Sequence, residues 1–272
     1  MPELPEVETL RKDLEKLYVG HVLKSLSVTG RRTVRRHRPE RLSAVQGRKL
    51  VAVNRQGKHL LFEWDDGQVL VAHLRMSGQL LAAKRGAPKL PHTHAVFSFA
   101  GAPELHFVDP RTFGELFLAR MDDAGATQLA HLGPDALAVT PSQLSDALAG
   151  RRALLKALLV DQRVLAGIGN IYADEICFEA KLRPDRPGGL LNRRETGRLA
   201  KAVRSVLEQA IDARGSSLDD RQYRDVYGEI GGYQLRHRVY GRAGHPCLRC
   251  GKPVQRLRIG AKSSYFCATC QH

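Results

Sequence analysis

Several features that define other classes of protein are missing from this sequence of 272 residues. No run approaches the roughly 18 consecutive apolar residues of a membrane-spanning helix, so we expect no transmembrane segment. The first residues are acidic and include no apolar signal-peptide core, which predicts a cytoplasmic protein. We find no internal repeat and no low-complexity tract. A chain of this length can bury a sizeable core and form two domains.

Acidic residues are scarce relative to basic ones, with 28 Asp and Glu against 43 Lys and Arg and a formal net charge of +15. An excess of this size predicts a polyanionic partner, most often nucleic acid. A ribosomal or membrane-surface protein would also be basic. The charge therefore indicates the class of partner and leaves the chemistry open.

Cysteine is also scarce, and four of the five cysteines lie near the C-terminus. Cys247 and Cys250, then Cys267 and Cys270 after a gap of 16 residues, have the spacing of a zinc ribbon. Four thiolates form a closed, structural zinc site. Paired disulfides are the alternative, but nothing in the sequence indicates an oxidising compartment. We therefore predict one structural zinc ion, and we expect Cys177 to be buried and inert.

The first ten residues suggest the chemistry. Processing enzymes commonly remove a Met that precedes a small residue, so we expect Pro2 to become an N-terminal secondary amine. An α-amino group has a pKa of about 7.7–8.0, and its neutral fraction can attack an aldehyde carbon to form a Schiff base. Pro5 and the following apolar spacing predict a helix that would hold this amine beside Glu3 and Glu6. The alternative is that these residues only begin a helix and have no role in chemistry.

The rest of the first half has the pattern of β-structure. We predict strands at residues 22–29, 49–55, 59–64, 68–74, 79–83, 94–100, 104–109 and 115–120. Many short strands separated by turn signals are typical of an antiparallel sandwich. A basic run between residues 31 and 41 is either a solvated loop or an edge that faces DNA.

Three loops between these strands carry unusual residues. Lys58 lies just before a strand, Met76 follows another, and Arg111 and Phe113 share a tight turn. Apolar wedges combined with Arg are what a protein needs to open a base step and fill the gap. The alternative is that Met76 and Phe113 are core residues.

The second half has helical patterns from Arg151 onwards. A glycine-rich turn precedes Asn170, which is placed to cap the next helix, and such a turn can present backbone N–H groups to a phosphate. An ordinary helical hairpin would have the same pattern. Asn192 and Glu195 then resemble a capping box at the start of a further helix. Residues 215–237 have the composition of a long mobile loop, and such loops are often functional.

These motifs, in this order along the whole chain, closely resemble those of the bacterial formamidopyrimidine-DNA glycosylase family. The shared features are the segment Met1–Thr9, the loops that contain Lys58, Met76 and Arg111, the turn Gly169–Tyr172 and the four-cysteine ribbon. Leu4 fits this branch of the family. The sister branch, endonuclease VIII, typically has Gly there and prefers oxidised pyrimidines.

The resemblance implies an α+β multidomain protein with duplex DNA in its cleft. It would comprise a two-layer antiparallel β-sandwich with flanking helices, a helix–two-turns–helix domain and a zinc-ribbon finger. We place the catalytic β-sandwich domain at residues 1–132, a linker at 133–150, the helix–two-turns–helix domain at 151–237 with a lesion loop at 215–237, and the zinc-finger hairpin at 238–272.

The activity implied by the resemblance is bifunctional repair of oxidised purines in damaged double-stranded DNA, chiefly 8-oxoguanine and formamidopyrimidines. Pro2 would be the Schiff-base nucleophile, Glu3 the proton donor and acceptor, and Glu6 a residue that holds the site. Lys58 would lie near the lesion and the backbone. We expect a monomer without membrane contact and without a redox or nucleotide cofactor.

The resemblance also implies the residues that contact DNA. Met76, Arg111 and Phe113 would fill the hole left by the flipped nucleotide. Further DNA-contacting positions are His73, His92, Arg151, Lys156 and Asn170. Lys262 falls where the family usually has Arg on the zinc finger. Because Arg can hold a phosphate with two hydrogen bonds and Lys cannot, we expect the same role with looser geometry.

Two alternatives to this function stay open at the level of sequence. One is a related glycosylase and lyase that prefers oxidised pyrimidines or abasic sites. The other is a non-catalytic protein that binds DNA damage, against which the intact Pro2, Glu3 and Lys58 argue.

Overall fold

The computed structural model describes residues 1–120, 128–218 and 222–272. The chain forms two compact units, one of Met1–Ala130 with Ala213–Gly232 and one of His131–Asp212 with Tyr233–His272. In the part of the chain that is described, every helix is too short or too polar to cross a membrane.

The first unit consists of one long helix and eight strands within its described residues. Helix α1 is Leu4–Tyr18, and a 3-10 helix spans Pro39–Val45. The strands are β1 Leu23–Val28, β2 Leu50–Gln56, β3 His59–Trp64, β4 Gln68–His73, β5 Gln79–Ala83, β6 Thr93–Phe99, β7 Glu104–Val108 and β8 Glu115–Arg120. Each predicted strand is confirmed, with bounds that differ by one residue or none.

The strands form two antiparallel sheets, ordered β1-β6-β7-β5 and β2-β3-β4-β8. Phe62 on β3 stacks on Phe97 on β6 with ring centroids 6.4 Å apart, and Trp64 stacks on Phe99 at 6.3 Å. Alternate residues of a strand point to the same face, so these two pairs join the inner faces of the sheets. This packing confirms the predicted two-layer sandwich.

Helix α1 packs onto this sandwich through one apolar side. Leu10, Leu14 and Tyr18 are fully buried, and the ring centroid of Tyr18 lies 4.7 Å from that of Phe99. Burial of a large apolar side chain contributes about 1.5–3 kcal/mol. The helix is therefore firmly held, and its first turn has a fixed position on the sandwich.

The second unit is helical, with a small hairpin near the C-terminus. Its helices are α2 Pro141–Leu148, α3 Leu155–Val160, α4 Asn170–Glu179 and α5 Arg193–Asp212, with 3-10 helices at Gly188–Leu190 and Tyr233–Arg236. The hairpin consists of β9 Gln255–Ile259 and β10 Lys262–Phe266. The predicted capping box of α5 is confirmed: the amide of Asn192 donates to Glu195 at 2.9 Å, and the amide of Glu195 donates to Asn192 at 3.0 Å.

The structure differs from the sequence predictions in how residues 133–150 are built. We expected a linker, but α2 lies in this stretch, with a capping box between Thr140 and Gln143, and Leu144 and Leu148 are buried. The structure also corrects the predicted cap at Asn170. Gly169 occupies the N-cap position and Asn170 is the first helical residue.

The predicted lesion loop, residues 215–237, is divided between the two units. Residues 219–221 lie outside the described residues. Tyr223 and Val226 are buried in the core of the first unit, and the amide of Ala82 donates to the carbonyl oxygen of Val226 at 2.8 Å. This part of the segment is therefore packed against the edge strand β5.

Candidate active site and metal centre

The start of α1 holds the predicted catalytic residues in a buried setting. Pro2, Glu3 and Glu6 are all buried, whereas Met1 is 50% exposed. The carboxylate of Glu6 accepts a hydrogen bond from the amide of Glu3 at 2.7 Å. This bond fixes the backbone at Glu3 and satisfies an N–H group that the helix itself leaves without a partner. Glu6 thereby sets the position of Glu3 and, through it, of Pro2.

The second oxygen of Glu6 attaches the segment after α5 to the same helix. It accepts a hydrogen bond from the amide of Ser216 at 2.7 Å. Gly215 has φ +80, and a Cβ there would lie 2.7 Å from a Glu6 carboxylate oxygen. Only glycine allows so close an approach in this conformation. One buried carboxylate therefore joins the turn that carries Pro2 and Glu3 to the beginning of the predicted lesion loop.

A cluster of ionic contacts anchors the same segment farther along α1. The guanidinium of Arg214 bonds to Asp13 on the helix and to Asp225 within the segment. Asp225 also accepts hydrogen bonds from the amides of Tyr227 and Glu229, both at 2.9 Å. The two carboxylates raise the pKa of Arg214 against the effect of its partial burial. The segment after α5 is thus held to α1 at two places, through Ser216 and through Arg214 with Asp225.

Helix α1 is also joined to the turn that carries Lys58. The guanidinium of Arg55 donates to Glu8 at 2.8 Å and to the carbonyl oxygen of Gly57 at 3.0 Å. Lys58 follows directly and is only 5% exposed. The ion pair between Glu8 and Arg55 therefore brings the Lys58 turn to the helix that carries Pro2, Glu3 and Glu6.

Two histidines pair across the strands beside this turn. His59 on β3 is opposite His73 on β4, and their ring centroids lie 4.4 Å apart. Burial lowers the pKa of His73 well below its ordinary value, and the charges of His59, Arg75 and Lys58 act in the same direction. The Nδ1 atom of His73 accepts a hydrogen bond from the amide of Arg75 at 2.9 Å, which requires that nitrogen to be unprotonated. His73 is therefore a neutral ring in the site.

The predicted wedge residues lie on exposed turns. Met76 is 40% exposed and Phe113 is 38% exposed, which excludes both from the core. The guanidinium carbon of Arg111 lies 5.1 Å from the centroid of the Phe113 ring, within the range of a cation–π contact. His92, which precedes β6, is also exposed. The arrangement presents two large apolar side chains and a cation to solvent, as filling an opened base step requires.

The basic run between residues 31 and 41 is partly exposed and partly bonded within the first unit, and a contact with DNA stays a prediction. Arg31, Arg32, Arg38 and Arg41 are exposed. Arg35 donates to the carbonyl oxygen of Thr112 at 2.9 Å, and Arg36 pairs with Glu115 at 3.0 Å. Part of the run is thus a cationic surface, while Arg35 supports the turn that carries Arg111 and Phe113.

In the second unit, a polar side chain closes the glycine-rich turn between α3 and α4. The amide nitrogen of the Gln162 side chain donates to Ile168, and its oxygen accepts from the amide of Gly167 at 2.9 Å. Asn170 follows at the first helical position, and Arg151 lies exposed before α3. These two predicted DNA-contacting residues therefore belong to the same helical unit.

Lys156 occupies a different environment from Arg151. Its side chain is 1% exposed, and its ammonium bonds to the carboxylate of Asp174 at 2.8 Å and to the carbonyl oxygen of Ser263 at 2.6 Å. Asp174 in turn accepts from the hydroxyl of Ser264 at 2.7 Å and from the amide of Tyr265 at 3.0 Å. This network attaches the hairpin to α4, and a DNA contact of Lys156 stays a prediction.

We expect Lys156→Met to destabilise the zinc-loaded protein by about 3–5 kcal/mol at pH 8, because it leaves a buried carboxylate without its ammonium. Burial raises the pKa of Asp174 to about 6, above the ordinary 3.8, although Lys156 opposes this shift. Because the folded pKa exceeds the unfolded one, stability is lost as the pH rises through about 6, and without Lys156 the pKa of Asp174 is raised further, so the variant goes on losing stability at higher pH. The deficit of the variant should therefore be larger at pH 8 than at pH 5, as measured by urea unfolding.

The matched control for this prediction is Lys156→Met combined with Asp174→Asn, which removes both charges. Replacing both partners of a buried pair is often close to neutral, so the double variant should recover most of the stability. A single variant as stable as the original protein at pH 8 would show that the pair contributes nothing.

The four C-terminal cysteines form a site that fits a zinc ion. Their sulfur atoms all lie within 4.8 Å of one another. The sulfurs of Cys250 and Cys267 are 3.5 Å apart, whereas a disulfide bond is about 2.05 Å long. Four thiolates about 2.3 Å from one ion satisfy tetrahedral zinc and leave no open position. The predicted structural zinc is therefore confirmed, and all four cysteines are free rather than joined in disulfides.

The zinc site is packed against α4 and supports a cationic hairpin. Cys247 and Cys267 share a small apolar cluster with Phe178, Val239 and Val254. The side chain of Lys262, the first residue of β10, is exposed. The ion thus stabilises the fold that presents this cation.

Several residues that build these sites were missed by the sequence analysis. Arg55, Gln162 and Asp174 each act through a partner that the fold brings near. A local signal existed only for Gln162, whose side chain could close the adjacent glycine-rich turn. The carboxylate partner of Arg55 lies 47 residues away and the partners of Asp174 lie 18 or more residues away, beyond any local pattern.

Comparison with known proteins agrees with this architecture. Residues 1–116 match the model of the formamidopyrimidine-DNA glycosylase N-terminal domain. Residues 132–222 match the formamidopyrimidine-DNA glycosylase H2TH domain, and residues 244–272 match a zinc finger found in FPG and IleRS.

Individual relatives match over almost the entire chain. The formamidopyrimidine-DNA glycosylase of Moorella thermoacetica is 44% identical over 95% of each chain, and that of Thermus thermophilus is 44% identical over 100% of this chain and 98% of its own. The crystal structure of the Thermus thermophilus protein superposes with a TM-score of 0.87 at 41% identity and covers 99% of this chain and 98% of its own. A Lactococcus lactis Fpg bound to DNA with an abasic site has a TM-score of 0.90 at 32% identity and covers 99% of both chains. This chain therefore belongs to the formamidopyrimidine-DNA glycosylase family.

Proposed function

We propose that the protein is a base-excision repair enzyme that removes oxidised purines from duplex DNA and then cleaves the backbone as an abasic-site lyase. The observation that carries this proposal is the catalytic turn. There Pro2 and Glu3 are buried at the start of α1, and the carboxylate of Glu6 holds them in place. We further propose that it acts as a monomer on the nucleoid in the bacterial cytoplasm.

The basic character of the chain supports DNA as the substrate. Lys and Arg exceed Asp and Glu by 15 charges, and such an excess binds phosphates in a salt-dependent manner. A solved relative from Lactococcus lactis holds a DNA that contains Fapy-dG, with a TM-score of 0.91 and 32% identity over 100% of both chains. We infer that 8-oxoguanine and formamidopyrimidines are the bases removed here, consistent with Leu4 in the first turn.

Base excision begins when the damaged nucleotide leaves the stack. Met76, Arg111 and Phe113 fill the gap that it leaves, which offsets the cost of unstacking. After removal of Met1, the lone pair of the Pro2 nitrogen attacks C1′ of the sugar. The bond from C1′ to the base breaks, and the base departs with the bonding electrons and takes up the proton that the Pro2 nitrogen gives up. Glu3 supplies a proton to the sugar oxygen as the ring opens.

Strand cleavage follows from the iminium ion that Pro2 has formed with C1′. Its positive nitrogen withdraws electrons and acidifies the proton on C2′. Transfer of this proton to the Glu3 carboxylate, which the preceding step left ionised, expels the 3′ phosphate with the electrons of its C–O bond. A second elimination then releases the 5′ phosphate and leaves a gap of one nucleotide. Lys58 and Lys262 are the cations we assign to the backbone phosphates during these steps.

A comparison of three duplexes tests this proposal against its pyrimidine-specific alternative. They contain 8-oxoguanine, an oxidised pyrimidine or an abasic site in the same sequence. We expect cleavage of the 8-oxoguanine and abasic duplexes, with the oxidised pyrimidine at least about tenfold slower, since a pocket built for one hydrogen-bond pattern leaves polar groups unpaired with another. Faster action on the pyrimidine would support the endonuclease VIII alternative. Binding without any cleavage would support a non-catalytic damage-binding protein.

A further inference from the structure

Asp109 joins the two turns that carry the predicted wedge residues. It follows β7 directly, and its side chain is completely buried. One carboxylate oxygen accepts a hydrogen bond from the hydroxyl of Ser77, which comes directly after Met76. The other accepts the amide of Gly114 at 2.6 Å, directly after Phe113. A single carboxylate thus bonds to the residue next to each wedge.

The backbone of Asp109 extends the same junction to a third segment. Its amide donates to the carbonyl oxygen of His92 at 3.0 Å, and the Nε2 atom of His94 donates to its carbonyl oxygen at 2.9 Å. The amide of Thr112 also donates to this carbonyl, at 3.1 Å. Asp109 therefore bonds to the segments that carry Met76, His92 and the pair Arg111 and Phe113.

Each of the three segments that Asp109 joins contains a residue with a strained backbone conformation. Arg75, His92 and Thr112 have φ values of 54, 64 and 55, a left-handed conformation that non-glycine residues rarely adopt. Such conformations persist only where the surrounding structure over-determines them. At Gly114 a Cβ would lie 3.0 Å from the Asp109 carboxylate and 2.5 Å from the Phe107 ring, so only glycine lets the turn close onto Asp109.

We propose that Asp109, together with Ser77, is a positioning residue that holds Met76 and the Arg111–Phe113 turn as one rigid wedge. This inference rests on the proposed function. Met76 and Phe113 are exposed side chains on separate turns, and ordering them independently at each encounter with DNA would consume binding energy. Hydrogen bonds to a carboxylate are stronger than those between neutral groups. The bonds to Asp109 can therefore order both turns before DNA binds. Both turns then enter the duplex together.

The test compares Ser77→Ala with the original protein on two substrates. One is 8-oxoguanine inside a duplex, which requires extrusion of the base; the other is an abasic site in a single strand, which does not. We expect single-turnover excision from the duplex to fall about tenfold, the effect of losing one hydrogen bond to a charged group. Cleavage of the single strand should fall by less than about twofold, since its sugar is already accessible.

Ser98→Ala is the matched control, because the Ser98 hydroxyl also donates to a carboxylate, that of Glu104, at 3.2 Å. Ser98 lies on β6, next to the strand β7 that precedes Asp109, but it bonds to neither wedge turn. The Ser98→Ala variant should therefore act normally on both substrates. Asp109→Asn keeps the size of the side chain but exchanges an acceptor oxygen for a donor. It should therefore show the same selective loss as Ser77→Ala, with urea unfolding used to verify that each variant is folded.

A combination of variants separates positioning from general stability. If Ser77 acts through the wedge, Ser77→Ala should cost little further duplex activity in a protein that already carries Met76→Ala. Equal losses on the two substrates, or full additivity with Met76→Ala, would overturn the inference. Failure of the proposed function would be distinct, since the original protein would then not excise 8-oxoguanine at all.

Discussion

A form of the protein that retains Met1 is expected to bind lesion-containing DNA but to lose cleavage by a factor on the order of 10³ or more, as for removal of a catalytic nucleophile. The carbonyl of Met1 would acylate the Pro2 nitrogen, and a tertiary amide has no lone pair free to attack C1′. An ordinary Lys, with a pKa of about 10.4, is almost wholly protonated near neutral pH and substitutes poorly. Cleavage by a form shown by mass spectrometry to retain Met1 measures this directly.

The same sample provides its own control. Treatment with a methionine aminopeptidase should restore cleavage, because it frees the Pro2 amine without any other change. Pro2→Gly, which also keeps an N-terminal amine, should retain more activity than the blocked form. Cleavage at the full rate by the blocked form would make Lys58 the next nucleophile to examine.

Removal of zinc is expected to abolish specific DNA binding, with a loss of at least about 100-fold, because metal binding at such sites supplies the folding energy of the finger. The ligands Cys247 and Cys267 form much of the small cluster around Phe178, so the hairpin would lose its packing along with the ion. The measurement is DNA binding by chelated protein, followed by binding after zinc is restored.

The chain contains a single tryptophan, which provides an internal reference for this experiment. Trp64 is 2% exposed and lies in the core of the first unit, away from the zinc ligands in sequence. Its fluorescence should therefore stay unchanged while DNA binding is lost. Protein proven free of metal that binds DNA with normal affinity would contradict the structural role of zinc.

The strands were predictable because their signals are local. Alternating apolar residues and turns such as Asp65-Asp66-Gly67 are legible in a few consecutive residues, and β3 and β4 on either side of that turn have nearly the expected bounds. Helix α2 was missed although its capping residues Thr140 and Gln143 were visible, because Pro and Gly nearby favoured a linker. The predicted N-cap was wrong by one position, because Gly169 is the N-cap residue and Asn170 is the first residue of the helix.

Residues of the candidate site were predictable only where they belong to a short local motif or to a motif that resembles a known family. The cysteine spacing indicated the metal and the first ten residues suggested the Pro2 amine, whereas the role of Lys58 came from the resemblance. The partners of Asp109, Ser77 at a separation of 32 residues among them, could not be read from periodicity. Nor could the burial of Lys156, since lysine is almost always exposed unless it is paired.

The most direct test of the central claim is borohydride trapping on an 8-oxoguanine duplex, followed by peptide mapping of the covalent adduct. The proposed chemistry predicts one adduct, in which the reduced sugar is attached to the nitrogen of Pro2 in protein that has lost Met1. An adduct at Lys58, or base release and strand cleavage without any trapped intermediate, would contradict it.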